Sequence, residues 1–158
     1  MVKVLIRPVH STDLDVFFQH FRDPEANLMA AFTAPDPEDA VAFRDHWAKI
    51  QADPTVLPRT VLVDGTVAGH VLSHHSFGEL EVGYWLGREF WGQGIATRAV
   101  ELFLKEQTQR PIAARVAFDN IGSRRVLEKC GFVITGEDQS YANARGKTIK
   151  EFLLRLDN

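Results

Sequence analysis

The stretch Leu80-Glu81-Val82-Gly83-Tyr84-Trp85-Leu86, followed by Arg88-Glu89-Phe90-Trp91-Gly92-Gln93-Gly94-Ile95-Ala96-Thr97, decides how this chain folds. Its first half reads as a strand and its second as a glycine turn that opens a helix. Gly92 and Gly94 let the backbone bend and come close to a ligand with no Cβ in the way. Amides in a first helical turn have no partner within the helix. Aligned peptide dipoles add partial positive charge at the same place. Strand, glycine turn and free helix N-terminus together form an anion cradle, suited to a phosphate or pyrophosphate. A plain strand-to-helix turn would use the same residues. Two other phosphate motifs do not fit. No Gly-x-x-x-x-Gly-Lys-Ser/Thr string occurs. A dinucleotide fingerprint needs glycine where Thr97 stands.

Outward from this stretch the pattern is regular. Residues 3–9 read as a first strand. Thr12 with Asp15 three residues on reads as a helix start, and Leu14, Phe17, Phe18 and Phe21 form one apolar stripe. Asp23-Pro24 breaks that helix, and residues 25–31 read as a short irregular or helical piece. Asp36 before Pro37 reads as the N-cap of a helix whose inner face is Ala40, Phe43, Trp47 and Ile50. Residues 59–63 and 67–75 read as strands joined by Asp64-Gly65, a hairpin signal. Phe77-Gly78 turns into the strand 79–86. The helix from Ile95 to about Gln107 carries Ala96, Ala99, Val100, Phe103 and Leu104 on one face, with Glu101 and Lys105 as an i, i+4 pair. Residues 112–118 read as a strand whose Arg115 asks for an exposed side. Asn120 starts the next helix and Gly131 ends it. Residues 132–135 and 148–156 read as final strands, and the polar segment 137–147 as a mobile loop. The order β-α-α-β-β-β-α-β-α-β-β predicts an α/β (α+β) fold with a mixed sheet and helices on both faces.

A second block is Asp119-Asn120-Ile121-Gly122-Ser123-Arg124-Arg125-Val126-Leu127-Glu128-Lys129-Cys130-Gly131-Phe132. Together with the first it resembles the acetyl-CoA-binding core of the GNAT N-acetyltransferase superfamily, most closely its RimJ/RimL-type branch. The family's Q/R-x-x-G-x-G/A loop is matched by Trp91-x-x-Gly94-x-Ala96, with Trp at the Q/R position. The second block is similar to the family's N-x-x-S…L-E-K-x-G-F segment. The strong motifs cover residues 79–133. The resemblance implies a GNAT-like, mostly antiparallel twisted sheet of about seven strands, in a single domain spanning residues 1–158.

It also implies acetyl-CoA as cosubstrate. The pyrophosphate would lie on the amides of Trp91, Gly92, Gln93, Gly94, Ile95, Ala96 and Thr97. The pantetheine arm would run along the backbone of Tyr84, Trp85 and Leu86. Asn120 and Ser123 share a helix face, and in the family that face meets the arm. Asn120 also fits a plain helix cap, and Ser123 a merely small residue. Gly83, a glycine inside a strand, marks a bulge or close backbone approach, or packing under an aromatic. The oxyanion would be met by a backbone N–H near residues 82–84, where losing one such donor costs about 3–4 kcal/mol.

An alkylammonium acceptor has a pKa of about 10.4 and needs a base. Glu81, beside the expected thioester, is the candidate. A two-residue Phe77-Gly78 turn sets His74 opposite it, as a proton relay or a plain surface pair. Many family members use a tyrosine seven residues after the Asn120 position as general acid. Leu127 stands there in this chain, so Ser123, or a water it holds, is the substitute.

Bulk properties narrow the choice. At 158 residues, 45% hydrophobic and 25% charged, the chain can build one core. A formal charge of −3 argues against generic nucleic-acid binding. One cysteine, Cys130, excludes an intrachain disulfide and suits a reducing, cytoplasmic setting. A reactive Cys130 would need an activating base, and none is evident. The N-terminal apolar run is too short for a signal peptide, and no stretch suits a membrane span. The six histidines show no metal-ligand spacing. The expected function is an acetyl-CoA-dependent N-acetyltransferase that acts on a primary amine by direct attack in a ternary complex. The amine belongs to a small molecule or a protein N-terminus. The alternative is an inactive CoA- or acyl-CoA-binding regulatory module. Segments 23–37 and 137–147 would shape the acceptor site, and relatives of this kind are commonly homodimers.

Overall fold

The computed structural model describes residues 2–158. The first strand, β1 (Val4–Arg7), is followed by three helices: α1 (Asp13–Phe21), α2 (Pro24–Ala30) and α3 (Ala40–Ala52). Then come β2 (Leu57–Val63), β3 (Thr66–Ser76), β4 (Glu79–Leu86) and a single 3-10 turn at Arg88–Phe90. The chain continues through α4 (Ile95–Glu106), β5 (Ile112–Ala117), α5 (Ile121–Lys129), β6 (Val133–Ala142) and β7 (Lys147–Leu156). All seven strands join one sheet in the order β1-β2-β3-β4-β5-β7-β6. Every neighbouring pair is antiparallel except β4 and β5. This is the expected mixed, mostly antiparallel sheet, with one more helix, α2, than the sequence order counted.

Two turns fix the central register. Asp64-Gly65 and Phe77-Gly78 each adopt positive φ at both residues, the conformation that matches strand twist in two-residue hairpins. The second turn brings His74 opposite Glu81 and Leu72 opposite Gly83, as the sequence predicts. Alternation then sorts the side chains by face. Val71, Val82 and Leu86 pack with Ile95, Ala99 and Phe103 of α4 and Leu127 of α5. On the other face Leu14 and Phe17 of α1 and Phe43 and Trp47 of α3 enclose Val67 and Leu72.

Five local expectations are corrected. Thr12 makes no capping bond to α1. The first helical residue, Asp13, turns inward instead. α3 starts at Asp39, whose Oδ1 accepts from Ala42 N at 3.0 Å, whereas Asp36 closes only a local turn with Glu38 N. Each aspartate can bond a nearby amide, so local chemistry does not choose between them. Segment 137–147 is not a loop: β6 runs on to Ala142 and pairs with β7 throughout, with a turn at 143–146. That turn is tied down by Asn143 Nδ2 donating to Thr33 O, Arg145 Nε donating to Leu28 O, and two Arg145–Asp119 bonds of 2.9 Å. Arg115 is not directed to open solvent but is held between carboxylates, described below. The Glu101–Lys105 pair is replaced by Arg98–Glu101 at 3.5 Å.

Asp13 joins α1 to the sheet. Its carboxylate accepts from Arg7 Nη1 at 2.7 Å, from Thr60 Oγ1 at 2.7 Å and from His10 N at 2.9 Å, and it is only 3% exposed. Burial alone would raise its pKa. The Arg7 bond, the His10 amide, the Thr60 hydroxyl and the Arg7 charge outweigh that and bring it down to about 2. The folded-state pKa lies below the unfolded value of 3.8, so the anchor is fully present above that value and is lost as pH falls towards 2. Asp13→Asn should therefore cost about 2 kcal/mol at neutral pH. It should also flatten the fall in stability between about pH 4 and pH 2, as measured by urea denaturation across that range.

Candidate active site

β4 and β5 share one ladder pair, Glu81 with Ala113, and no further pairing follows. β5 is meanwhile paired along its full length with β7. Past Glu81 the two parallel strands therefore part. The fork opens into a cavity of about 420 Å³. One wall is β4 at Tyr84, Trp85 and Leu86; another is α5 at Asn120, Ser123 and Arg125; α2 covers it with Ala26, Met29 and Ala30. Its end is formed by Trp91, Gly92, Gly94, Ile95, Ala96 and Thr97.

The glycine turn has the geometry its sequence implies. Gly92 has φ of +72° and Gly94 +77°, and a Cβ at either would meet nothing within 4 Å. Gly94 is the N-cap of α4 in the left-handed conformation, and no side chain caps the helix. The first-turn amides of α4 thus lie open to the cavity with the positive end of the helix dipole behind them. Trp91 Nε1 donates to Leu86 O at 3.1 Å and pins the turn to the end of β4. Gln93 does not line the cavity; its side chain donates to Glu89 O. Among the described residues, the charged ones on the walls are Arg125 and Lys129. A cationic cleft with free amides, inside a chain of net charge −3, suits an anionic ligand of the diphosphate kind.

Asn120 caps α5, its Oδ1 accepting from Ser123 N at 3.2 Å, and its Nδ2 reaches Met29 O of α2 at 3.4 Å. It therefore joins two walls of the cavity. Ser123 Oγ accepts from the Tyr84 hydroxyl at 2.9 Å. Leu127 is 2% exposed and belongs to the core. Cys130 is half-buried, and burial, aided by Glu101, pushes its thiol pKa up to about 11, which disfavours a thiolate.

Glu81 lies on the opposite face of β4 from Tyr84, at the closed end of the fork. It is 6% exposed, and Arg115 Nε donates to it at 3.2 Å. Arg115 also binds Glu151 at 2.8 Å and Asp138 at 3.4 Å, and the exposed Phe77 ring lies 4.7 Å from its guanidinium. Burial works against the Arg115 charge, but Glu151 and Glu81 outweigh it and raise its pKa. The polar partner of Glu81 is thus Arg115, not His74, which faces it only in register. Arg115 could not be assigned from sequence because its partners lie 23 to 36 residues away. Gly83, on the Glu81 face, is not packed under an aromatic: a Cβ there would meet open space. Among the described residues no cluster of three or more His, Cys, Asp or Glu could hold a metal, and no helix is long and apolar enough to cross a membrane.

Comparison with known proteins agrees with this arrangement. Residues 3–133 match the family model described as "Acetyltransferase (GNAT) domain", and the chain belongs to that family. It is 31% identical over 126 residues to the "Putative ribosomal N-acetyltransferase YdaF" of Bacillus subtilis (strain 168), covering 71% of this chain and 68% of that protein. Among solved structures it is similar to Mycobacterium smegmatis RimJ in complex with CoA-disulfide, with TM-score 0.81, 23% identity and coverage of 98% and 81%. It is also similar to Vibrio cholerae spermidine N-acetyltransferase in complex with CoA and spermine, with TM-score 0.82, 16% identity and coverage of 98% and 95%. The family membership makes the chain an acetyl-CoA-dependent acetyltransferase in general terms.

Gly94 tests the cradle. A β-branched residue at φ +77° is strained by about 1–2 kcal/mol and fills the open space above the amides. Gly94→Val should weaken CoA binding at least about tenfold by calorimetry, a difference of about 1.4 kcal/mol. Unchanged affinity would place the diphosphate elsewhere.

Proposed function

We propose that the chain, as one domain over residues 1–158, transfers the acetyl group of acetyl-CoA to a primary amine by direct attack, with both substrates bound at the fork. The observation that carries this is the fork itself, with cations and free amides on one side and a carboxylate cluster on the other. The diphosphate would be held by the amides of residues 92–97, with Arg125 and Lys129 nearby. The arm would lie along Tyr84, Trp85 and Leu86, where β4 has no strand neighbour on its β5 side. Three carboxylates, Glu81, Glu151 and Asp138, surround the one cation Arg115. The surplus negative charge favours an ammonium acceptor on that face.

Glu81 is the proposed proton acceptor, direct or through water. How much that acceptor must do depends on the pKa of the amine. An alkylammonium of pKa about 10.4 is neutral in only about one molecule in a few thousand at pH 7. An α-amine of pKa about 7.7–8.0 is neutral in roughly one in five to ten. The second asks less of any proton acceptor. We therefore favour an α-amine, such as a protein or peptide N-terminus, over a polyamine. The likeness to a protein named as a ribosomal N-acetyltransferase points the same way, while the spermidine enzyme supplies the competing acceptor class.

Release of free CoA should be followed with a short peptide bearing a free N-terminus, with spermidine and with an antibiotic amine. The peptide should turn over fastest, and Glu81→Gln should lower its kcat by about 10²-fold. Tight CoA binding with no turnover on any amine, and no effect of Glu81→Gln, would instead identify a CoA-binding regulatory module.

A further inference from the structure

The position that carries a tyrosine in many relatives holds Leu127, buried in the core, so α5 offers no phenol. A phenol is nevertheless present, on the other wall. Tyr84 points from β4 towards α5, and its hydroxyl lies 2.9 Å from Ser123 Oγ. Both residues line the cavity. A phenol is a stronger hydrogen-bond donor and a poorer acceptor than an aliphatic hydroxyl, so the favoured arrangement has Tyr84 donating and Ser123 accepting. With a lone pair so engaged, the Ser123 hydrogen must point away from Tyr84, and the space open to it is the cleft.

We propose that Tyr84 is a positioning residue that orients the Ser123 hydroxyl to donate a hydrogen bond to the sulfur released when the acyl–sulfur bond breaks. The inference rests on the proposed function and deepens it. In the transfer the amine nitrogen bonds to the acyl carbon and gives up a proton to Glu81, direct or through water, the carbon–sulfur bond breaks, and the electron pair stays on sulfur. Neither hydroxyl gives up its proton. Burial, partly offset by the Ser123 bond, raises the Tyr84 pKa to about 12. Transfer of its proton to a thiolate whose conjugate acid has a pKa of about 8.5 would be uphill by several kcal/mol. The pair therefore acts by a fixed dipole aimed at developing charge, which costs no reorganisation during the reaction. The serine takes up part of the task that a tyrosine on α5 performs elsewhere in the family, and the phenol behind it removes its rotational freedom.

The test needs no acceptor. CoA bound to the protein is titrated by the ultraviolet absorbance of its thiolate in the wild type, Tyr84→Phe, Ser123→Ala and the double variant. Arg125 and Lys129 on the walls, and Cys130 behind Tyr84, are present in all four, so differences report the hydroxyls. CoA-induced thermal shifts confirm that each variant is folded and loaded. The bound thiol should titrate about one unit higher in Tyr84→Phe than in the wild type, a tenfold loss of thiolate at a given pH. Ser123→Ala should match it, and the double variant should add nothing. Equal titration of Tyr84→Phe and wild type, additive shifts in the double variant, or an effect of Tyr84→Phe without one of Ser123→Ala would each overturn the proposal. Absence of any CoA-induced shift in the wild type would instead overturn the proposed function, and this inference with it.

Discussion

The separation of β4 from β5 after a single ladder pair is the constraint on which the rest of the molecule depends. Parallel neighbours in a sheet ordinarily share a continuous ladder, and unpaired buried backbone groups are costly. Here β5 is committed along its length to β7, while β4 is committed to β3. Two tight turns fix the β3 and β4 registers, so the mismatch collects at one place, the C-terminal half of β4. Arg115 holds the closed end of the fork. From the middle of β5 it binds Glu81 on β4 and Glu151 on β7, and so ties three strands together where the separation begins.

The two faces of the fork differ in charge for reasons visible in the elements that line them. Strand alternation places Tyr84 with α5 and the free end of α4, where Arg125 and Lys129 supply the wall charges. The same alternation places Glu81 on the opposite face, where Glu151 and Asp138 leave a surplus of negative charge around Arg115. An anionic cosubstrate and a cationic acceptor can thus approach a single strand from its two sides. Asn120 and the 143–146 turn connect α2 to the rest, so the cover of the cleft is fixed to the helix that lines it.

The cleft was largely legible in the sequence because its parts are local. A strand, two glycines and an uncapped helix lie within one continuous stretch, and their chemistry depends little on distant residues. Strand β6 was not legible. Glu137, Asp138 and Gln139 are exposed on an edge hairpin, so no apolar period distinguishes them from a loop. Asp36 and Asp39 look alike as caps, and only packing selects the second. The Arg115–Glu81, Arg115–Glu151 and Tyr84–Ser123 bonds join residues more than thirty positions apart. Arg115 within an apolar strand was the one hint of the cluster, since a buried cation requires partners. Leu127 by itself says only that α5 offers no phenol there, and nothing local to Tyr84 showed that its hydroxyl reaches α5.

The central claim is that main-chain amides on α4 and β4 hold the cosubstrate. Backbone amide chemical shifts recorded during titration with CoA test it most directly. The account predicts the largest changes at Gly92, Gly94, Ile95, Ala96 and Thr97, with a second group at Tyr84, Trp85 and Leu86. Saturable binding that leaves both groups unmoved, or moves only amides outside the fork, would contradict it.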